Sequence, residues 1–121
     1  EKKIFYGLLT KHLNINKIFD YYGMIEQTGS IFLECEYGYY HPSIFSEINI
    51  RNNNLKICGI NQKGLIQVSS LLPLSYPGHN ILTEDLGELK GFDNCKCGRK
   101  GKYFKIHGRL PNSEVKGCAN V

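Results

Sequence analysis

Gly64-Leu-Ile-Gln-Val-Ser-Ser70 reads as a β-strand, with apolar and polar side chains alternating and β-branched residues prominent. Beyond it, Pro73, Pro77 and Gly78 break the next stretch into an extended loop, because proline removes a donor and restricts the residue before it. Leu82 to Leu89 carries Thr83-Glu84-Asp85 between apolar residues, and Tyr103-Phe-Lys-Ile106 is a last short strand. Upstream, Asn52-Asn53-Asn54 is a turn-former between two alternating segments, Glu47 to Ile50 and Leu55-Lys-Ile57, and Ile31 to Cys35 alternates in the same way. Residues 1 to 13 differ in period: Ile4, Phe5, Leu8, Leu9 and Leu13 approach the stripe of a helix packed on one side. Asn14 and Asn16 stop it, and Lys17 to Asp20 is a candidate short strand. The expected fold is α+β, an N-terminal helix followed by a mostly antiparallel β unit, with no internal repeat.

With 121 residues the chain has the length of one domain and can bury a core without disulfide staples. It opens at Glu1 without a Met, which suggests a piece of something longer. No apolar run of about 18 residues is present to span a membrane, and no signal-peptide pattern appears. Five cysteines without a secretory cue point to reduced thiols, metal ligands or a reactive thiol, and to a cytoplasmic setting. The net charge of +4 is uneven: residues 1 to 89 hold seven Lys/Arg against nine Asp/Glu, and residues 90 to 121 hold eight against two. The C-terminal quarter is therefore a basic patch suited to phosphates, or else a solvated face.

Four groups of residues can carry chemistry. Cys35 and His41 in one loop, with Cys95 and Cys97 in the turn Asp93-Asn-Cys-Lys-Cys-Gly-Arg99, make three thiols and an imidazole. That is a normal structural zinc set, the alternative being four unrelated, partly buried side chains. Tyr22-Gly23-x-x-Glu26 offers a ring to stack on a base, a glycine that lets backbone approach a phosphate, and a carboxylate for Mg²⁺. The same spacing also suits a surface loop with Tyr22 in the core. Asp85 is an acid able to accept bonds from ribose hydroxyls, and Arg109, after His107-Gly108, is a forked cation for phosphate or ribose. Cys118, beside Lys116 and Gly117, has nearby positive charge that favours thiolate, against the reading of an incidental tail cysteine.

In order along the chain, Tyr21-Tyr-Gly-Met-Ile-Glu-Gln-Thr-Gly-Ser-Ile31, Ser75-Tyr-Pro-Gly-His-Asn-Ile-Leu-Thr-Glu-Asp-Leu-Gly87, Cys95-x-Cys-Gly-Arg-x-Gly-x-Tyr-Phe-Lys-Ile-x-Gly-Arg109 and Lys116-Gly-Cys118 resemble the C-terminal part of LuxE-type acyl-protein synthetases. These are related to phenylacetate-CoA ligases among the adenylate-forming enzymes. The resemblance runs from about Asn16 to Cys118 and implies the C-terminal portion of such an enzyme's large domain, with residues 1–121 as one partial domain. It implies ATP and Mg²⁺ as cofactors, a carboxylic (fatty) acid substrate, and an acyl reductase or other acceptor protein as partner. Tyr22 matches the aromatic that stacks on adenine, Glu26 the Mg²⁺-supporting carboxylate, Asp85 the ribose-binding acid and Arg109 the hinge-motif arginine. Cys35, His41, Cys95 and Cys97 match a zinc site of some relatives, and Cys118 falls where the acyl-accepting cysteine lies.

The chain departs from the family pattern at Ile25, where a threonine is usual, and at Pro111 and Asn112, where an acidic pair is usual. The phosphate loop of the family is absent, so the chain alone is expected to be inactive. The rival reading is a zinc-stapled module that docks on nucleic acid through its basic quarter, with Tyr103 and Phe104 as stacking rings, or an inactive interaction subunit. Tyr103 and Phe104 do not interleave the basic run, and Asp85 and Glu26 have no role in that reading, so nucleic acid is not the expected partner.

Overall fold

Period-two alternation decides most of the architecture. In the computed structural model, which describes residues 2–111, strand β5 (Lys63–Ser70) buries Ile66 and Val68 completely on one face, and β4 (Ser46–Arg51) buries Ile48 and Ile50 in the same way. The remaining strands are β1 (Tyr21–Tyr22), β2 (Phe32–Glu34), β3 (Tyr40–His41), β6 (Asn80–Phe92) and β7 (Lys102–Arg109), with one helix, α1 (Lys2–Leu13), before them. All seven strands form one antiparallel sheet in the order β1-β2-β3-β7-β6-β5-β4. The α+β expectation therefore holds.

The sheet is coiled. Laid flat, β2 and β4 would lie five strand spacings apart, roughly 24 Å, yet Phe32 of β2 and Ile48 of β4 belong to one buried cluster with Tyr40, Ile50, Cys58, Ile66, Val68 and Phe104. Two glycines of β6 permit the curvature at register shifts against β7. A Cβ at Gly87 would come within 2.8 Å of the Ile66 side chain, and one at Gly91 within 2.8 Å of the Tyr103 hydroxyl. The far edge of β4 is also partly covered, by a lysine of β7 and by the turn that follows β4. Lys102 Nζ donates to the Ile48 carbonyl at 3.1 Å and the Cys58 N–H to the Ile50 carbonyl at 2.8 Å, so that edge offers fewer free groups to another strand.

Three local expectations need correction. Lys17 to Asp20 is not a strand: the Asp20 carboxylate takes the Tyr21 N–H at 2.8 Å, and pairing starts only at Tyr21. Leu55-Lys-Ile57 is not a strand either. Asn52 Oδ1 accepts the N–H groups of Asn54 and Lys56, Leu55 adopts φ 59°, and a single bridge from Ile57 to Arg51 remains. Helix α1 forms as expected, and Asn14 at φ 52° stops it, but none of its residues is buried and Ile4 is 72% exposed. Its described attachment is Lys2, whose ammonium lies 2.8 Å from Glu34 and 3.1 Å from Asp20.

Candidate functional site

Two groups of side chains stand apart from the core. The first is the cysteine-histidine cluster. Cys35 follows β2 and opens a tight turn, its N–H donating to the Tyr39 carbonyl at 2.8 Å and its carbonyl accepting from Gly38, which sits at φ 76°. His41 lies on β3, one residue beyond Tyr40, which pairs with Phe104 of β7. The turn between β6 and β7 carries Cys95 and Cys97 and is closed by Asp93, whose carboxylate accepts the Gly101 N–H at 2.6 Å. Pairing of β3 with β7 thus brings the two halves together across the intervening sequence.

The four donor atoms of Cys35, His41, Cys95 and Cys97 lie within 4.8 Å of one another. Cys97 Sγ is 3.4 Å from Cys95 Sγ and 3.4 Å from His41 Nε2. A tetrahedral zinc ion with sulfur bonds of about 2.3 Å places its sulfurs roughly 3.8 Å apart, so the set fits such an ion with little movement. Cys35, His41 and Cys95 are buried, Tyr103 stacks on His41 with ring centroids 5.9 Å apart, and His41 Nδ1 is buried without a hydrogen-bond partner among the described residues. Burial pushes the Cys95 thiol up to about 11. Cys97 moves down in spite of burial, because the Arg99 N–H, the neighbouring thiols and the Arg99 charge favour its thiolate. Burial and then Arg99 lower the His41 pKa, which favours the neutral imidazole that a metal ion requires. Among the described residues the cysteines are free, including Cys58, which is buried in the main core away from this cluster.

The second group is Tyr22, Asp85 and Arg109. Asp85 of β6 and Arg109 of β7 are direct cross-strand partners, and Arg109 Nε lies 3.4 Å from Asp85 Oδ1. Tyr22, four strands away in sheet order, reaches the same carboxylate through the coil of the sheet, and its hydroxyl donates to Asp85 Oδ2 at 2.8 Å. The Tyr22 ring packs on Phe32 at 5.8 Å and on Phe104 at 6.2 Å and stays partly exposed. Burial, then the Asp85 carboxylate, raise the Tyr22 pKa.

Thr83, which the sequence did not single out, donates to the Ile66 carbonyl at 2.9 Å and accepts the Asp85 N–H at 3.1 Å, fixing the acid's backbone. Gln27 was also missed. It is fully buried and donates to the carbonyls of Val68 and Gly78, at 3.2 and 2.7 Å, tying the loop after Tyr22 to β5. Neither residue carries a sequence signal beyond being polar in a polar stretch.

Gly23 and Glu26 follow Tyr22 on the same loop, both exposed; a Cβ at Gly23 would stand 3.4 Å from the Ser30 carbonyl. Glu26, on the short 3-10 turn Ile25–Gln27, takes no part in the Tyr22–Asp85–Arg109 bonds. An open groove of about 450 Å³ lies elsewhere, against Phe45, Ser70 and His79. Cys118, Lys116 and Asn112 lie outside the described residues. No helix among the described residues is long and apolar enough to cross a membrane.

Fold and geometry define an α+β unit with a four-donor thiol–imidazole cluster and a separate tyrosine–aspartate–arginine group. The chain belongs to the acyl-protein synthetase, LuxE family, whose model matches residues 1–121. Among solved structures it is similar to the luciferase-like enzyme from the nonluminescent Zophobas morio mealworm, with a TM-score of 0.59 over 87% of this chain and 19% identity. At that identity the likeness shows the fold alone, and the chain spans 28% of the length of that enzyme. No curated protein sequence matches it.

Proposed function

We propose that this chain is the C-terminal part of the large domain of an ATP-dependent acyl-activating enzyme, one partial domain over residues 1–121. The observation that carries the reading is the convergence of Tyr22 and Arg109, far apart in sequence, on the Asp85 carboxylate. Asp85 accepts the ribose hydroxyls, Arg109 faces ribose and phosphates, and the exposed part of the Tyr22 ring receives adenine. Gly23 lets the backbone near the phosphates, and Glu26 holds Mg²⁺, which offsets phosphate charge when bound.

An oxygen of the fatty acid carboxylate attacks the α-phosphorus of ATP, and pyrophosphate leaves. A thiolate, Cys118, then attacks the carbonyl carbon of the acyl-adenylate; a thioester forms and AMP leaves. A reductase is the acceptor that follows. The chain alone is inactive, because it contains no phosphate loop. Cys35, His41, Cys95 and Cys97 hold a structural Zn²⁺ that leaves no open position for catalysis. The free thiols suit a cytoplasmic setting. Lys90 and Lys102 of the basic quarter are paired with Glu88 and Glu47, at 2.8 and 2.9 Å, which weakens the nucleic-acid alternative.

The test is the intact mass of the full-length protein after incubation with ATP, Mg²⁺ and a panel of carboxylic acids. A gain equal to one acyl group, removed by hydroxylamine and absent in Cys118→Ser, is expected. Silence with every acid, and no pyrophosphate release when coenzyme A is supplied, refutes the reading.

A further inference from the structure

The Tyr22 hydroxyl has a task separate from that of its ring. The ring is held by Phe32 and Phe104, so the hydroxyl can stand in one place only, 2.8 Å from Asp85 Oδ2. The other carboxylate oxygen, Oδ1, faces Arg109 Nε at 3.4 Å. Asp85 keeps only 19% of its side chain exposed, and its N–H is tied to Thr83. The backbone of the acid is thereby fixed, but its terminal torsion is the broad, two-fold kind that backbone position does not set. What sets the plane of the carboxylate is the pair of partners at its two oxygens.

We propose that Tyr22 is a positioning residue: by donating to one Asp85 oxygen while Arg109 faces the other, it orients the carboxylate to accept both hydroxyls of a vicinal cis-diol. A carboxylate offers about four lone-pair sites. With Tyr22 bonded to one oxygen and Arg109 near the other, each oxygen keeps capacity to accept one hydroxyl, so the pair suits a cis-diol and a lone hydroxyl leaves one oxygen unfilled. Selectivity for ribonucleotides over 2′-deoxyribonucleotides follows from the hydroxyl of a residue that sequence reasoning assigns to base stacking. A phenol keeps its proton through the neutral range, so that hydroxyl stays a donor. The proposal rests on the nucleotide reading given above.

The experiment measures dissociation constants of ATP and 2′-deoxy-ATP, with Mg²⁺, for the full-length protein and its Tyr22→Phe and Asp85→Asn variants. Wild type is expected to prefer ATP by about tenfold, the size of one hydrogen bond to a charged group. Tyr22→Phe keeps the ring and its packing. It is expected to weaken ATP several-fold and leave 2′-deoxy-ATP within about twofold, so that the preference collapses. A role confined to stacking or to fold stability leaves the ratio of the two constants unchanged and overturns the proposal. Tighter ATP binding in Tyr22→Phe also overturns it, because the hydroxyl would then be occupying the place of the diol. A wild-type ratio near one overturns it without any variant. If Asp85→Asn leaves ATP binding intact, the nucleotide reading itself fails; if Asp85→Asn loses ATP while Tyr22→Phe keeps the ratio, the positioning role alone fails.

Discussion

Replacing Cys97 by serine tests the proposed metal site most directly. A bound ion would tie Cys35 and His41 to Cys95 and Cys97 and so close a loop of about 60 residues. In the chain-entropy model, a cross-link of that span restricts the unfolded chain by about 4 kcal/mol at 25 °C. Burial already holds the Cys95 and Cys35 side chains in place by packing with Tyr103 and Tyr39, and a serine oxygen is a poorer zinc ligand than thiolate. Cys97→Ser is therefore expected to lose most of its metal and on the order of 2–4 kcal/mol of stability, lowering the melting temperature by roughly 10 °C in a domain of this size.

The assay pairs metal content by mass spectrometry with thermal unfolding, each with and without a chelator. Chelation is expected to bring wild type down to the level of the variant and to leave the variant unmoved. Cys58→Ser is the control. Cys58 is buried in the main core, where its sulfur faces the Lys63 carbonyl at 3.9 Å, so the change destabilises without releasing metal. Full metal loading and unchanged melting in Cys97→Ser, or a chelator-insensitive wild type, refute the reasoning.

Three further outcomes are expected. Phe104→Ala, at a fully buried ring contacting Phe32, Tyr40 and Tyr22, lowers stability by about 3–5 kcal/mol in urea titration. Gly87→Ala forces a Cβ to within 2.8 Å of Ile66 and 2.9 Å of the Lys105 carbonyl, which costs about 1–3 kcal/mol; equal urea midpoints for Gly87→Ala and wild type would show that the coil of β6 tolerates a side chain there. Glu88 is held below the usual glutamate range first by the Lys90 ammonium, burial opposing, and then by His107. A depressed carboxylate stabilises the fold above its unfolded value of about 4.3 and loses that contribution as pH falls through its folded value. The melting-temperature advantage of wild type over Glu88→Gln should therefore be full at pH 7 and shrink below about pH 4.

Alternation located β4 and β5 within one residue at each end, because each strand has one face in a single core, as Ile48, Ile50, Ile66 and Val68 show; β7 was found around Phe104 but runs three residues past Ile106, to Arg109. It failed at Leu55 to Ile57, where two apolar residues around a lysine imitate a strand and the Asn52 side chain takes the backbone donors instead. It gave no bounds for β6, where Asn80, Ile81, Gly91 and Phe92 extend pairing that no alternating pattern marks. The stripe on α1 was legible as a helix, but its cover was not, because a stripe records that a face is apolar and not what meets it.

The sequence alone reaches the fold class, the family and the four members of the thiol–imidazole cluster, because periodicity, ordered motifs and donor chemistry are local properties of the chain; it sets Tyr22 with Gly23 and Glu26, apart from Asp85 and Arg109. Tertiary structure decided how those members meet. Pairing of Tyr40 with Phe104 brings two cysteine-bearing turns together, with His41, so that four donor atoms lie within 4.8 Å of one another. The coil of the sheet, allowed by Gly87 and Gly91, carries Tyr22 across to Asp85 and turns a stacking residue into a hydrogen-bond partner of the acid. Curvature is a sum over many small twists and a few close approaches, and no single stretch of sequence records it.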